Sequence, residues 1–217
     1  MSLVLPSFPL LSSSDFQAVC STAIHELQSG KWLTPADWNI SRLESNDGSG
    51  QGLIGLRIIR ALDNPDQFGQ DADKDDDELL EEHDTERLSI SVARAHRYRV
   101  FYDIMLSPSM QMPVVWFSIH RANGTAVPLQ RDVIIDSLVP TNVRSELTTQ
   151  GAGPLGGISQ AIHPNTGFPA WYIHPCETAN ALREVRGDVG SVHTDEYLRL
   201  WMGVVGPAVG LYWPQPR

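Results

Sequence analysis

Gly157-Ile158-Ser159-Gln160-Ala161-Ile162-His163-Pro164-Asn165-Thr166-Gly167-Phe168-Pro169-Ala170-Trp171-Tyr172-Ile173-His174-Pro175-Cys176-Glu177-Thr178 is the stretch on which the reading of this chain turns. It ends on a thiol. The run Ala170–Ile173 is too short for an ordinary helix and is aromatic and β-branched, so it reads as a strand or buried extended segment. After the cysteine the pattern becomes helical: Thr178 is a predicted cap, Ala179, Leu182 and Val185 are apolar positions, and Gly187 is a stop. A cysteine ahead of a helix lies near free backbone N–H groups and the positive end of the dipole, which favours the thiolate. Pro164-Asn165-Thr166-Gly167 reads as a turn.

Upstream, the most regular helical pattern runs from Ser14 to Gln28. Phe16, Val19, Cys20, Ala23, Ile24 and Leu27 share a face, Ser14 and Gln17 suit a capping box, and Gly30 is a stop. Cys20 falls on the buried face and reads as a small hydrophobe. Lys31 to Leu43 reads as an extended connection. Leu53 to Leu62 reads as a strand, and Arg99–Leu106 with Val114–His120 as an antiparallel pair whose second strand begins at Pro113. A short helix is expected within Pro128 to Leu138, with Val133, Ile134 and Leu138 on one side. A glycine-rich linker follows over Thr148 to Gly157, without a phosphate-cradling pattern. Thr194 is a predicted cap for a last helix carrying Tyr197, Trp201, Val204 and Val205, ended by Gly206-Pro207. Strands followed by helices indicate α+β.

Size and charge narrow the function classes. The 217 residues suit a single domain over 1–217, with an acidic, flexible insertion at 63–86. That insertion holds twelve acidic residues against Lys74 alone, which accounts for the whole net charge of −10. The rest is near neutral, and an acidic run repels phosphates, so no nucleic-acid partner is expected. The apolar N-terminus has no basic residue and is broken by Pro6 and Pro9, so neither a signal peptide nor a membrane span is expected. Two cysteines make a disulfide scaffold unpromising and point to the reducing cytoplasm.

Chemistry gathers at Cys176, with His163, His174, His193 and Asp195 as candidate companions. The pattern by itself fits a Cys–His peptidase or amidase, an acyl-transfer nucleophile, part of a metal site, or a buried structural thiol. Metal is the weakest, since no zinc-ligand spacing exists. A hydrolase needs a base held against the sulfur, and His174 is too close along the chain, with Pro175 between, to swing back easily.

Four blocks in order carry a resemblance. They are Ser107-Pro108-Ser109-Met110-Gln111-Met112-Pro113-Val114-Val115-Trp116-Phe117; Ile158-Ser159-Gln160 with His163-Pro164; Ile173-His174-Pro175-Cys176-Glu177-Thr178; and Tyr197-Leu198 through Trp201 to Gly206-Pro207-Ala208-Val209-Gly210-Leu211. Together they resemble the autophagy ubiquitin-conjugating-enzyme-like family, over most of the chain apart from the insertion and linker. The resemblance implies an antiparallel sheet flanked by an N-terminal helix and C-terminal helices. It implies that Cys176 accepts the modifier autophagy-related protein 12 from the activating enzyme autophagy-related protein 7, and passes it to a lysine of autophagy-related protein 5. No metal or nucleotide cofactor is then required on this chain. His174 is a supporting candidate, Tyr102 matches a packing tyrosine, and Asn165 is a loop residue. Met110 and Trp116 stand where the family usually has tyrosines, and Ile162 where it usually has glutamate. Those substitutions keep a noncatalytic adaptor on the same fold as an alternative.

Overall fold

Alternating apolar residues in the middle of the chain form the sheet on which the rest is assembled. In a computed structural model, residues 2–45, 53–62, 98–127, 130–141, 144, 157–187 and 190–217 are described. The acidic insertion at 63–86 and most of the glycine-rich linker lie outside them. In chain order the elements are α1 (Ser13–Gln28), β1 (Asn39–Glu44), β2 (Leu53–Ala61), β3 (Tyr98–Ser107), β4 (Met112–Arg121), α2 (Arg131–Leu138), β5 (Ile158–Ile162), β6 (Pro169–Ile173), α3 (Thr178–Arg186) and α4 (Thr194–Val205). Short 3₁₀ turns occupy Pro175–Glu177 and Gly206–Val209. All neighbouring strands pair antiparallel, in the order β1-β2-β3-β4-β6-β5. The chain is therefore α+β, one sheet with an N-terminal helix and C-terminal helices packed against it.

Strand alternation separates two faces. Leu56, Ile58, Val100, Tyr102, Ile104, Val115, Phe117 and Ile119 point into the core, where they meet Phe16, Val19, Cys20 and Ala23 of α1 and Tyr197, Leu198, Trp201 and Met202 of α4. α4 is the most deeply buried helix, and its polar atoms are satisfied within the core. The Trp201 indole donates to the Pro113 carbonyl at 3.2 Å, and the Tyr197 hydroxyl donates to the Pro9 carbonyl at 2.6 Å. Burial pushes the Tyr197 and Tyr102 hydroxyls up from their ordinary pKa.

The capping residues differ from the sequence reading, each for a local reason. α1 is capped by Ser12 rather than Ser14: Ser12 Oγ accepts from the Asp15 N–H at 3.1 Å, and the Asp15 carboxylate accepts from the Ser12 N–H at 3.1 Å. Among three consecutive serines, the aspartate three residues on selects the first. Thr178 is the first residue of α3, not its cap; it is buried, and Glu177 precedes the helix. α4 is capped by His193, whose N–H donates to Glu196 Oε2 at 3.3 Å, while Thr194 Oγ1 accepts from the Leu3 N–H at 3.2 Å. Strand β1 lies at the end of the segment read as a connection, and β5 was not anticipated at all. The apolar side of α2 is Ile134, Ile135 and Leu138 rather than Val133.

The end of α4 is a close approach. Gly206 starts the 3₁₀ turn, its carbonyl accepts from the Leu211 N–H at 2.9 Å, and a Cβ there would lie 1.8 Å from the Leu211 carbonyl oxygen. Tyr102 is held in the same region, its hydroxyl donating to the Val209 carbonyl at 2.8 Å and accepting from Arg60 Nε at 3.2 Å. Tyr102→Phe leaves a buried carbonyl without its donor and is expected to cost about 1–3 kcal/mol in urea unfolding. Gly206→Ala must displace backbone and is expected to cost about as much or more. A Gly206→Ala protein with the wild-type midpoint would contradict this packing.

Candidate active site

β6 delivers the thiol. Its last residue, Ile173, is buried, and the backbone then turns through His174 into the 3₁₀ turn that holds Cys176. Pro175 is buried and supplies the fixed φ that suits the first position of such a turn. His174 Nδ1 accepts a hydrogen bond from the Cys176 N–H at 3.2 Å. The imidazole thus closes the turn around the cysteine, as a capping side chain does at a helix start. Cys176 is exposed and Cys20 is buried in the core, where burial pushes the thiol far above its ordinary pKa; both are free. Only Cys176 is open to a partner.

The other candidate companions are used elsewhere. Among the described residues, no side chain hydrogen-bonds the Cys176 thiol. His193 caps α4 and forms a backbone bridge with Val4. Asp195 accepts from the Ser2 hydroxyl, which is the main reason its carboxyl is held below the ordinary value. Asn165 lies in the β5–β6 turn, with its side-chain amide donating to the Glu44 carbonyl at 3.1 Å, in keeping with its reading as a loop residue. His163 is 4 % exposed and faces the sheet. Its ring stands edge-on to Trp116 at 5.3 Å, and Trp116 stacks on Tyr172 at 4.7 Å, so two aromatic rings separate it from His174. Among the described residues, no group of three or more His, Cys, Asp or Glu side chains is arranged to hold a metal ion.

A cluster absent from the sequence reading occupies the outward face of the sheet. Register aligns Arg57, Asp103, Trp116, Tyr172 and Ser159 in one row across β2, β3, β4, β6 and β5. Arg57 grips Asp103 through two bonds, Nε to Oδ1 and Nη2 to Oδ2, both 2.6 Å. Such a fork-to-fork pair fixes both groups in a plane. His163 Nε2 lies 3.3 Å from Asp103 Oδ2, off the line of a well-formed hydrogen bond. Burial pushes the Asp103 carboxyl up, but the bonds from Arg57, the His163 contact and the Arg57 charge outweigh it and hold the carboxyl below its ordinary value. The hydrogen bond to Asp103 raises Arg57. The available signal was a lone carboxylate inside the apolar run Val100-Phe101-Tyr102-Asp103-Ile104, but its partners sit far away in sequence and only the register joins them.

The model of the family described as autophagocytosis associated protein, active-site domain, matches residues 15–215. The chain belongs to that family. Among curated proteins, ubiquitin-like-conjugating enzyme ATG10 of Gibberella zeae is 33% identical over 135 residues, covering 62% of this chain and 54% of that protein. The human protein of the same name is 30% identical over 114 residues, covering 52% and 49%. The chain thus spans about half the length of the curated relatives it matches. The solved crystal structure of "Autophagic E2, Atg10" overlaps 91% of this chain and 98% of its own at 15% identity, with a TM-score of 0.42. The match takes in nearly the whole chain, Cys20 and Cys176 alike.

The Arg57–Asp103 pair predicts a pH signature. Because the folded pKa of Asp103 lies below the unfolded one, its contribution to stability is complete above the unfolded value of about 3.9 and is lost as pH falls through the folded value. Asp103→Asn is therefore expected to lower stability by about 1–3 kcal/mol at neutral pH, less than a fully buried pair because Arg57 is partly exposed. Unfolding of both proteins from pH 7 down to pH 2 should show the difference closing in acid; a difference constant with pH would contradict the assignment.

Proposed function

We propose that this chain is a ubiquitin-like-protein conjugating enzyme of autophagy that carries its modifier as a thioester on Cys176. The single observation that carries the reading is an exposed, free thiol set at the entry to α3, inside the segment matched by the family's active-site model. The modifier is autophagy-related protein 12, the donor autophagy-related protein 7 and the acceptor a lysine of autophagy-related protein 5, following the family resemblance. The cytoplasm is the compartment, consistent with two cysteines that remain free.

The chemistry needs only a thiol and a place to hold it. The Cys176 thiolate attacks the carbonyl of the donor's thioester; its S–C bond forms, the donor's S–C bond breaks, and the donor thiolate takes up the proton that Cys176 gave up. The lysine amine of the acceptor then attacks the new thioester carbonyl. An amide forms, the C–S bond breaks, and the leaving Cys176 thiolate is balanced by the proton that the amine sheds. A thiolate serves both steps because it is a good nucleophile and a good leaving group, and the amide is the more stable product. His174 supports the site by fixing the peptide plane of Cys176. A peptidase would require a base against the sulfur, and among the described residues no side chain hydrogen-bonds it, the His174 Nδ1 accepting instead from the Cys176 N–H.

The reading is tested with activating enzyme, modifier and ATP. Wild type is expected to form an adduct cleaved by thiols. Cys176→Ser should form a thiol-resistant ester, Cys176→Ala none, and Cys20→Ser the wild-type adduct. If the acceptor is still conjugated by Cys176→Ala, the chain acts as an adaptor instead. His174→Ala is expected to slow adduct formation about fivefold, the worth of one hydrogen bond of about 1 kcal/mol, and His174→Asn, which keeps an acceptor near the Nδ1 position, less.

A further inference from the structure

β6 leads straight into Cys176, yet it pairs with β4 through only Trp116↔Tyr172 and Phe117↔Trp171. Its placement is therefore shared between side-chain packing across that seam and the β5–β6 hairpin to which it is paired over five residues. The turn of that hairpin folds back over the outward face of the sheet, and His163 is its pin. His163 Nδ1 accepts from the Asn165 and Thr166 N–H groups, each at 3.2 Å. A nitrogen that accepts carries no proton, so the ring hydrogen is on Nε2, the atom that faces Asp103 at 3.3 Å. Asp103 is in turn immobilised by the two-bond Arg57 pair. The ring is buried, its Nδ1 holds the turn while its Nε2 stands in close but off-line contact with Asp103, and no step of the conjugation chemistry calls on it.

We propose that His163 is a positioning residue for the Cys176 thioester: it links the turn that sets β6 to the fixed Arg57–Asp103 pair. The inference rests on the conjugation reading above. Loading brings a mobile donor to an exposed thiol and tolerates some displacement of the sulfur. Discharge requires the thioester carbonyl to be presented to a bound lysine, and a displacement of about 1 Å can cost a hundredfold there.

Two variants separate positioning from folding. His163→Asn places an oxygen near the Nδ1 position and can hold the turn amides, as asparagine does in turns, but it does not reach Asp103. Asp103→Asn keeps the shape and removes the charge. In single-turnover discharge of purified thioester to the acceptor, each is expected to be about tenfold or more slower, with loading within about twofold of wild type. His163→Asn should also retain slow hydrogen exchange at Asn165 and Thr166. The double variant should be no slower than the slower single one, because both break one link.

Wild-type discharge in either single variant, or effects that multiply in the double, would overturn the proposal. If His163→Asn fails to fold, Asp103→Asn alone decides by the same criterion, its folding checked by thermal melting. If wild type forms no thioester, the conjugation reading fails; the link is then judged by hydrogen exchange at the β6 and Cys176 amides, and protection unchanged in Asp103→Asn would overturn it.

Discussion

The seam between β4 and β6 is two residue pairs long, and the exposed thiol depends on it. A two-pair ladder supplies few backbone hydrogen bonds, far fewer than the ten-pair ladder joining β3 to β4. Side chains on both faces make up the difference. On the core face, Phe117 is buried and Trp171 packs against the cluster. On the outward face, Trp116 lies stacked on Tyr172. The seam is therefore clamped by aromatic rings from above and below, which large flat side chains do at low cost in rotamer entropy. The Trp116 indole offers a large area to stack on Tyr172 and receives the His163 ring at its edge.

From that seam the chain has little freedom before the cysteine. Ile173 is anchored in the core, Pro175 is buried, and His174 reaches forward to the Cys176 N–H. α3 then begins at a buried Thr178 and is fastened by Leu182. The sulfur is exposed, but the backbone on either side of it is not free to move. A nucleophile that must meet two different protein partners is served by this combination, since access comes from the side chain and definition from the main chain.

What could be read from the sequence, and what could not, divides by range. Elements whose signal is local were legible: the α1 stripe from Phe16 to Leu27, the β3–β4 pair, the β6 run ending at Ile173, and the stops at Gly30 and Gly187, both at positive φ. The caps were misplaced by one or two residues because Ser12, Ser13 and Ser14 are equivalent until Asp15 is seen to choose among them. β5 was hidden because only Ile158 of its five residues is buried, leaving no apolar alternation to notice. The thiol was found through its motif. The Arg57–Asp103–His163 cluster was not, because it joins three segments whose proximity is set by strand order and by a turn folding back over the sheet.

That cluster is an unusual way to finish a sheet face. A buried ion pair is a weak source of stability, since desolvation consumes much of its Coulomb energy, and apolar residues of similar volume serve as well or better. Hydrophobic side chains at positions 57, 103 and 163 would cover the face, but they would hold it without direction, tolerating slides and rotations at small cost. A two-bond guanidinium–carboxylate pair fixes an orientation, and an imidazole whose Nδ1 holds two turn amides adds a second. The physical return on burying these charges is geometric definition of the turn between β5 and β6. Because β6 is so lightly paired to β4, definition at that turn is carried along five residues of strand to the peptide that bears the thiol.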